Sequence, residues 1–233
     1  MTKPLQTDTQ PPAGVGLLCN PLSGHNRKHL DAVRRAASMF SGGLYREAST
    51  VPEINAALDH FAAENIGLLV VIGGDGTVQA SLKHIFGSAS FSKPPLLTII
   101  PAGTTNMTAA DLGIRGKPAR LLALLNQRLQ QAVPAATTQR PLLRIDQQGA
   151  DTLYGMFFAA GIIAAGVKSF TPRVQAMKIN GELASGIILI RYLAGLLLGQ
   201  THEALSPVQL IIQEDDGMAR EERCLFLFAS TLD

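Results

Sequence analysis

The chain has 233 residues, 46% of them hydrophobic and 16% charged, with a formal net charge of +2. That is ample apolar material for buried cores and excludes a disordered chain, while the near balance of charge, the absence of Trp and the lack of a basic block exclude the footprint of a nucleic-acid binder. Two distant cysteines, Cys19 and Cys224, with no His or Cys at ligand spacing, suggest neither a disulfide framework nor a zinc site, only small buried residues.

In chain order, residues 1–13 read as a polar, flexible lead-in with no apolar core of a signal peptide, which makes a cytoplasmic chain the default. Val15 to Cys19 is a short buried-strand run. Arg27 to Phe40 places Leu30, Val33, Ala37 and Phe40 at helical spacing, and Val51 to Asn65 repeats the pattern with Ile54, Leu58 and Phe61, after Ser49 and Thr50 as caps. A strand over Leu68 to Ile72, a helix from Val78 to Phe86, a strand over Leu96 to Ile100, a helix from Thr105 to Leu112 and a longer helix from Pro118 to Gln131 follow. Strands alternating with helices at this spacing predict a parallel sheet covered on both faces, residues 14–134.

The texture changes after Val133. Strands are expected over Pro141 to Gln147 and Thr152 to Ala159, turning at "QQGAD", and over Pro207 to Glu214 and Arg223 to Ser230, turning at "EDDGMA"; a helical stretch from Arg173 to Leu198 lies between the two pairs. This predicts a second, mainly antiparallel β-rich domain, residues 135–233. The most apolar segments, Gly155 to Val167 and Gly186 to Gly199, fall short of the ~20 residues of a spanning helix, so no transmembrane segment is expected.

The chemistry concentrates where strands end. "GGDGT", Gly73 to Thr77, follows the strand Leu68 to Ile72 at its carboxyl end, where parallel sheets hold ligands. Gly73, Gly74 and Gly76 would leave backbone N–H groups open to phosphate at the positive end of the next helix. Asp75 is anomalous in a purely anion-binding loop: an acceptor-only side chain there needs a cation or a hydroxyl proton, unless it simply caps the helix. Phosphoryl transfer uses both services. "NPLSG", Asn20 to Gly24, and "PAGTTN", Pro101 to Asn106, end two more strands, so three loops converge on one expected polyanion site.

These three motifs, in this order and about 50 and 25 residues apart, resemble the catalytic domain of the diacylglycerol kinase family, which includes sphingosine and ceramide kinases and bacterial lipid kinases. The resemblance covers Gly14 to Gln131 and continues more weakly through "MFFAAGIIAAGVKSF". It implies an α/β nucleotide-binding domain followed by a β-rich domain, with ATP and lipid meeting between them. It further implies that Asn20, Ser23 and Gly24 hold the nucleotide, with Ser49 or Thr50 nearby, and that Gly73, Gly74, Gly76 and Thr77 bind phosphates. Gly103, Thr104 and Asn106 would line the other side, and Asp75 would be the catalytic aspartate and the magnesium ligand. For Thr77 a helix cap, and for Asn20 a plain turn, stand as alternatives. The partner implied is a lipid at a membrane surface, reached by a peripheral protein.

The departures bear on activity. Gln79 and Ala80 replace the family's usual Asn-Glu pair, Met107 replaces an acidic residue, and Ile162 to Ala165 offers no Asp, leaving Asp75 as the matched carboxylate, with Asp111 a turn further along its helix. Family members also run on beyond "CLFLFASTLD". The second domain is therefore expected to be incomplete, and the chain to be a piece of a longer protein or to self-associate through an open strand edge. The acyl chain would lie among Phe157, Phe158, Ile162, Ile163 and the helix around Ile187 to Leu198. Alternatives to a lipid kinase are an NAD kinase, which shares "GGDGT" but not "PAGTTN", and a nucleotide- or lipid-binding protein without catalysis.

Overall fold

The first strand of the computed structural model's main sheet, β2 (Val15–Cys19), is buried on both faces, and everything near the loops described above is built around it. Residues 6–8, 14–133, 135–147, 149–161, 208–212, 220–224 and 226–232 are described. Before β2, Gln6–Asp8 (β1) pairs antiparallel with Ala135–Thr137 (β6), so part of the expected lead-in is a strand.

Beyond β2 come α1 (Asn26–Ala37), β3 (Leu44–Glu47), α2 (Val51–Ala63), β4 (Leu68–Gly73), α3 (Asp75–Gly87), β5 (Leu96–Pro101), α4 (Met107–Asp111) and α5 (Pro118–Gln130). The four strands form one parallel sheet in the order β3-β2-β4-β5. The period-two alternation of a strand sends successive side chains to opposite faces. Leu17, Cys19, Leu68, Val70 and Ile72 therefore pack under α1 and α5, while Leu18, Leu69 and Val71 pack under α2 and α3. Buried on both faces, these strands read as continuous apolar runs, as parallel strands do.

The hairpin of β7 (Leu143–Gln147) and β8 (Ala150–Gly155) turns where "QQGAD" predicts. It belongs with the α/β unit: Lys83 on α3 pairs with Asp151 at 2.9 Å, and the Phe86 and Tyr154 rings stand 6.1 Å apart. By contacts, Met1–Met156 with Thr231–Asp233 form one unit and Phe157–Ser230 another, a division later than the composition change near residue 135. Of the strand expected over Thr152 to Ala159, β8 ends at Gly155 and β9 (Phe157–Gly161) starts after Met156. In the second unit β9 pairs antiparallel with β12 (Phe226–Ser230), and β10 (Val208–Ile212) with β11 (Arg220–Cys224), which bears out the antiparallel expectation. Arg223 to Ser230 is likewise two strands, not one. The helix expected over Arg173 to Leu198, the "EDDGMA" turn and the Ile162, Ile163 and Ile187 to Leu198 parts of the acyl cleft lie outside the described residues. Among the described residues no helix is long and apolar enough to cross a membrane.

Candidate functional site

The chain leaves β2 toward β3 on one side and returns to β4 on the other, so the strand order reverses between β2 and β4. A crevice forms at the carboxyl ends of such a pair. Asn20, directly after β2, donates its backbone N–H to Ile72 O of β4 at 3.0 Å, and its side-chain Nδ2 donates to Thr77 Oγ1 at 3.0 Å. Its Oδ1 accepts from the Leu22 N–H at 2.9 Å, the turn expected of Asn before Pro, so turn and tie between loops coexist. Thr77 is buried at 5% exposure and stands third in α3; its side chain supports Asn20 rather than facing a ligand or capping its own helix.

The third loop closes on the other two. His25 N–H donates to Ala102 O at 2.9 Å and Ala102 N–H to Gly73 O at 2.9 Å. A Cβ on Gly24 would lie 3.6 Å from Thr104 Oγ1, and one on Gly74 only 3.0 Å from the Cα of Gly103. Within its own loop Asn106 takes a left-handed conformation (φ 52°), accepts from Gly103 N–H at 2.8 Å and donates to Gly103 O at 2.9 Å. Asn20, Gly24, Gly73, Gly74, Asp75, Thr77, Gly103, Thr104 and Asn106 are thus brought together, and Ser23 sits in the same turn, its N–H on Asn20 O at 3.2 Å.

The glycines divide by role. A Cβ on Gly73 would strike the Thr77 side chain at 2.7 Å, and Gly74 is confined by Gly103, so both are required by packing. Gly76 alone of the three faces open space, with nothing within 4 Å of an added Cβ. Gly74 caps α3 with no side chain, and the first-turn N–H groups of a helix have no partner inside it, so Asp75 and Gly76 present donors at the positive end of the helix.

Asp75 is not the cap of its own helix. Its carboxylate reaches across to α4, where Oδ2 accepts from Met107 N–H at 3.0 Å and Oδ1 from Thr108 N–H at 3.0 Å and Thr108 Oγ1 at 3.1 Å. It satisfies the opening donors of a helix whose N-cap, Asn106, gives no side-chain bond. Oδ1 is occupied twice and Oδ2 once, so a cation or a hydroxyl could reach the remaining side of Oδ2. Among the described residues no group of three or more His, Cys, Asp or Glu could hold a metal. A magnesium ion fits only where phosphate and water supply most of its ligands.

Ser49 and Thr50 stand at the end of β3 with a different task. Thr50 caps α2 in a capping box, its Oγ1 accepting from Glu53 N–H at 3.4 Å, while Glu53 Oε2 accepts from the N–H of Ser49 at 2.6 Å and of Thr50 at 3.3 Å. Asp111 is turned away, in an ion pair with Arg140 at 3.2 Å. Cys19 is buried in the sheet, which pushes its thiol up to about 11 and keeps it inert; Cys224 is half-buried.

Two features escape the sequence reading. Asn26 is fully buried at the start of α1, where Nδ2 donates to Asn20 O at 2.8 Å and Ile72 O at 3.2 Å, stapling the ends of β2 and β4. Its signal is its place on the stripe of Leu30, Val33 and Ala37, a polar residue at apolar spacing. Beyond the third loop, His25, Arg115 and Lys117 line a groove of about 330 Å3. Burial first, then the His29 and Lys117 charges, hold the His25 imidazole below its ordinary pKa.

Comparison with known proteins agrees with the three loops. A model of the diacylglycerol kinase catalytic domain matches residues 14–138. A diacylglycerol kinase of Bacillus subtilis (strain 168) is 32% identical over 101 residues, 42% of this chain and 32% of that protein. A probable YegS-like lipid kinase of Stenotrophomonas maltophilia (strain K279a) is 32% identical over 94 residues, 40% of this chain and 27% of that protein. The match thus spans a third or less of these curated relatives. The crystal structure of a diacylglycerol kinase from Bacillus anthracis str. Sterne superposes with a TM-score of 0.59 at 19% identity, over 96% of this chain and 66% of that one, which shows a shared fold.

Proposed function

We propose that this chain, which belongs to the diacylglycerol kinase catalytic-domain family, transfers the terminal phosphoryl group of ATP to a lipid hydroxyl presented at a membrane surface. Membership sets the NAD kinase alternative aside. The observation that carries the proposal is the convergence of three strand-end loops on the open N-terminus of α3, where first-turn N–H groups and the helix dipole are open to anionic oxygens at a water-accessible glycine. Gly74, Gly76 and the N–H of Asp75 bind phosphate in this reading; Asn20, held by Thr77, fixes the facing loop. Gly24, Gly103 and Thr104 close the cradle, and Oδ2 of Asp75 receives the acceptor hydroxyl or faces a cation. Magnesium, when bound with the nucleotide, would neutralise charge on the phosphates being separated.

A second reading rests on Asp75 itself. Three donors from α4 occupy the carboxylate, and Met107 contributes one of them through its backbone where a carboxylate is usual in the family. A nucleotide-binding member without catalysis would need no more than that. Incubation of the chain with radiolabelled ATP, magnesium and separate vesicle preparations of diacylglycerol, sphingoid base and phosphatidylglycerol decides between them. Label in a lipid product, absent from Asp75→Asn, supports the kinase. ATP binding by calorimetry with no labelled product in any arm supports the second reading, and no binding at all overturns both.

A further inference from the structure

The groove beside the third loop has a composition of its own. His25, Gly103, Thr105, Asn106, Arg115 and Lys117 contribute to it, and neither Asn20, Ser23, Gly24 nor any residue from Gly73 to Thr77 does. No carboxylate lines it. The acidic residue of α4, Asp111, is 3% exposed at its side chain and engaged with Arg140. The side chains of Arg115 and Lys117, both residues exposed, have neither an ion pair nor a hydrogen bond among the described residues, and the N–H and hydroxyl of Thr105 likewise meet no acceptor there.

The backbone that carries the two cations is fixed rather than slack. Ile114 N–H donates to Ala109 O at 2.8 Å, Gly113 N–H to Ala110 O at 3.0 Å, and both Gly113 (φ 70°) and Gly116 (φ 138°) take conformations that L side chains rarely adopt. Buried Pro118 then opens α5, so the positive end of a 13-residue helix faces the same groove. The planar guanidinium fork of Arg and the point charge of Lys suit the tetrahedral oxygens of a phosphate group, which the unpaired donors of Thr105 could share.

We propose that this groove binds a phosphate group, carried by a phospholipid headgroup or by a soluble phosphoester, at a site that adjoins the nucleotide cradle through Gly103 and Asn106 but takes its cations, Arg115 and Lys117, from outside it. The proposal does not depend on phosphoryl transfer. Its test is sedimentation of the full chain with vesicles of phosphatidylcholine alone and of phosphatidylcholine mixed with phosphatidylglycerol, beside calorimetric titration with inorganic phosphate and glycerol phosphate at constant ionic strength. The double variant Arg115→Ala with Lys117→Ala is expected to lose about tenfold in affinity for whichever phosphate source binds. Its melting temperature and its affinity for ATP should stay as in the wild type. Arg120→Ala with Arg128→Ala, which removes two exposed cations of α5 outside the groove, should change little.

Binding to the anionic vesicles but not to soluble phosphate assigns the headgroup; binding to soluble phosphate alone assigns the phosphoester. Equal loss in the two double variants would mean a diffuse charge effect and overturn the proposal, as would wild-type behaviour of the Arg115/Lys117 variant or no binding in either arm. A chain that binds these phosphates yet fails to bind ATP would sink the kinase reading and leave the groove standing.

Discussion

Thr108 donates both its backbone N–H and its hydroxyl to one oxygen of Asp75, at 3.0 and 3.1 Å, across a sequence separation of 33 residues. The aspartate in the middle of the glycine loop is therefore a structural cap for α4 as well as the proposed reacting group, and the two roles are separable by experiment.

Asp75→Asn replaces an acceptor-only group by one that presents N–H donors on one side, against either Met107 or Thr108. A loss of about 1 kcal/mol of stability is expected from the broken cap, together with loss of phosphoryl transfer. Thermal melts and lipid phosphorylation on the same preparation check both. Unchanged turnover would remove Asp75 from the chemistry; an unchanged melt would show that the cap contributes nothing.

Gly74 and Gly76 should respond differently although they are two residues apart. Gly74→Val would drive a side chain against the Cα of Gly103, and about 1–3 kcal/mol of stability should be lost with ATP affinity. A Cβ at Gly76 meets nothing within 4 Å outside its own helix, so the melt of Gly76→Val should stay close to the wild type while ATP binding weakens about tenfold. A Gly76→Val protein that binds ATP normally would place the phosphates elsewhere.

Asn26→Leu removes the donor that bridges Asn20 O and Ile72 O. The expected cost is about 1–3 kcal/mol, moderated because the Asn26 Oδ1, itself buried without a partner, disappears as well. Urea denaturation reads this directly, and an unshifted midpoint would refute the staple.

Glu47, at the end of β3, is held by Arg34 through Nε–Oε1 at 2.7 Å and Nη2–Oε2 at 2.8 Å, with the Tyr45 hydroxyl adding a bond at 2.8 Å. The Arg34 bonds chiefly hold its carboxyl below the ordinary glutamate value. A carboxylate with a lowered folded pKa contributes stability that is complete above the unfolded value and is lost as pH falls through the folded one. The wild type should therefore lose more stability than Glu47→Gln between mildly acidic pH and pH values below the normal glutamate range. Solvent exposure keeps the difference small. Parallel acid dependence in the two proteins would show that the pair contributes nothing measurable.

Much of this was legible in the residues because the signals were local. Val15 to Cys19 is a strand to the residue, bounded by a glycine in a left-handed turn at Gly14 and by Asn20-Pro21. The cap at Thr50 follows from Glu53 three positions on. By contrast α3 starts at Asp75, three residues before Val78, because Gly76, which reads as loop, already lies in the helix, while Gly73 ends β4 and Gly74 is an extended cap. The partner of Asp75 could not be read at all, since no periodicity relates residue 75 to residue 108. Arg115 and Lys117 carry no sequence signal for the same reason: their meaning comes from which loop lies opposite, not from their neighbours in sequence.

The bond from Asn20 to Thr77 joins residues 57 apart, and β5 must be in place before Gly103 can meet Gly74. Closing such long loops costs chain entropy before any contact offsets it, which makes non-local parallel pairing slow. The cradle therefore has no precursor in any single segment: a nascent chain lacking β5 would hold three of the four parallel strands and no closed loop cluster. Capacity to bind nucleotide should then appear late in refolding, after helical signal has recovered, so that the kinetics of ATP capture report on completion of the sheet.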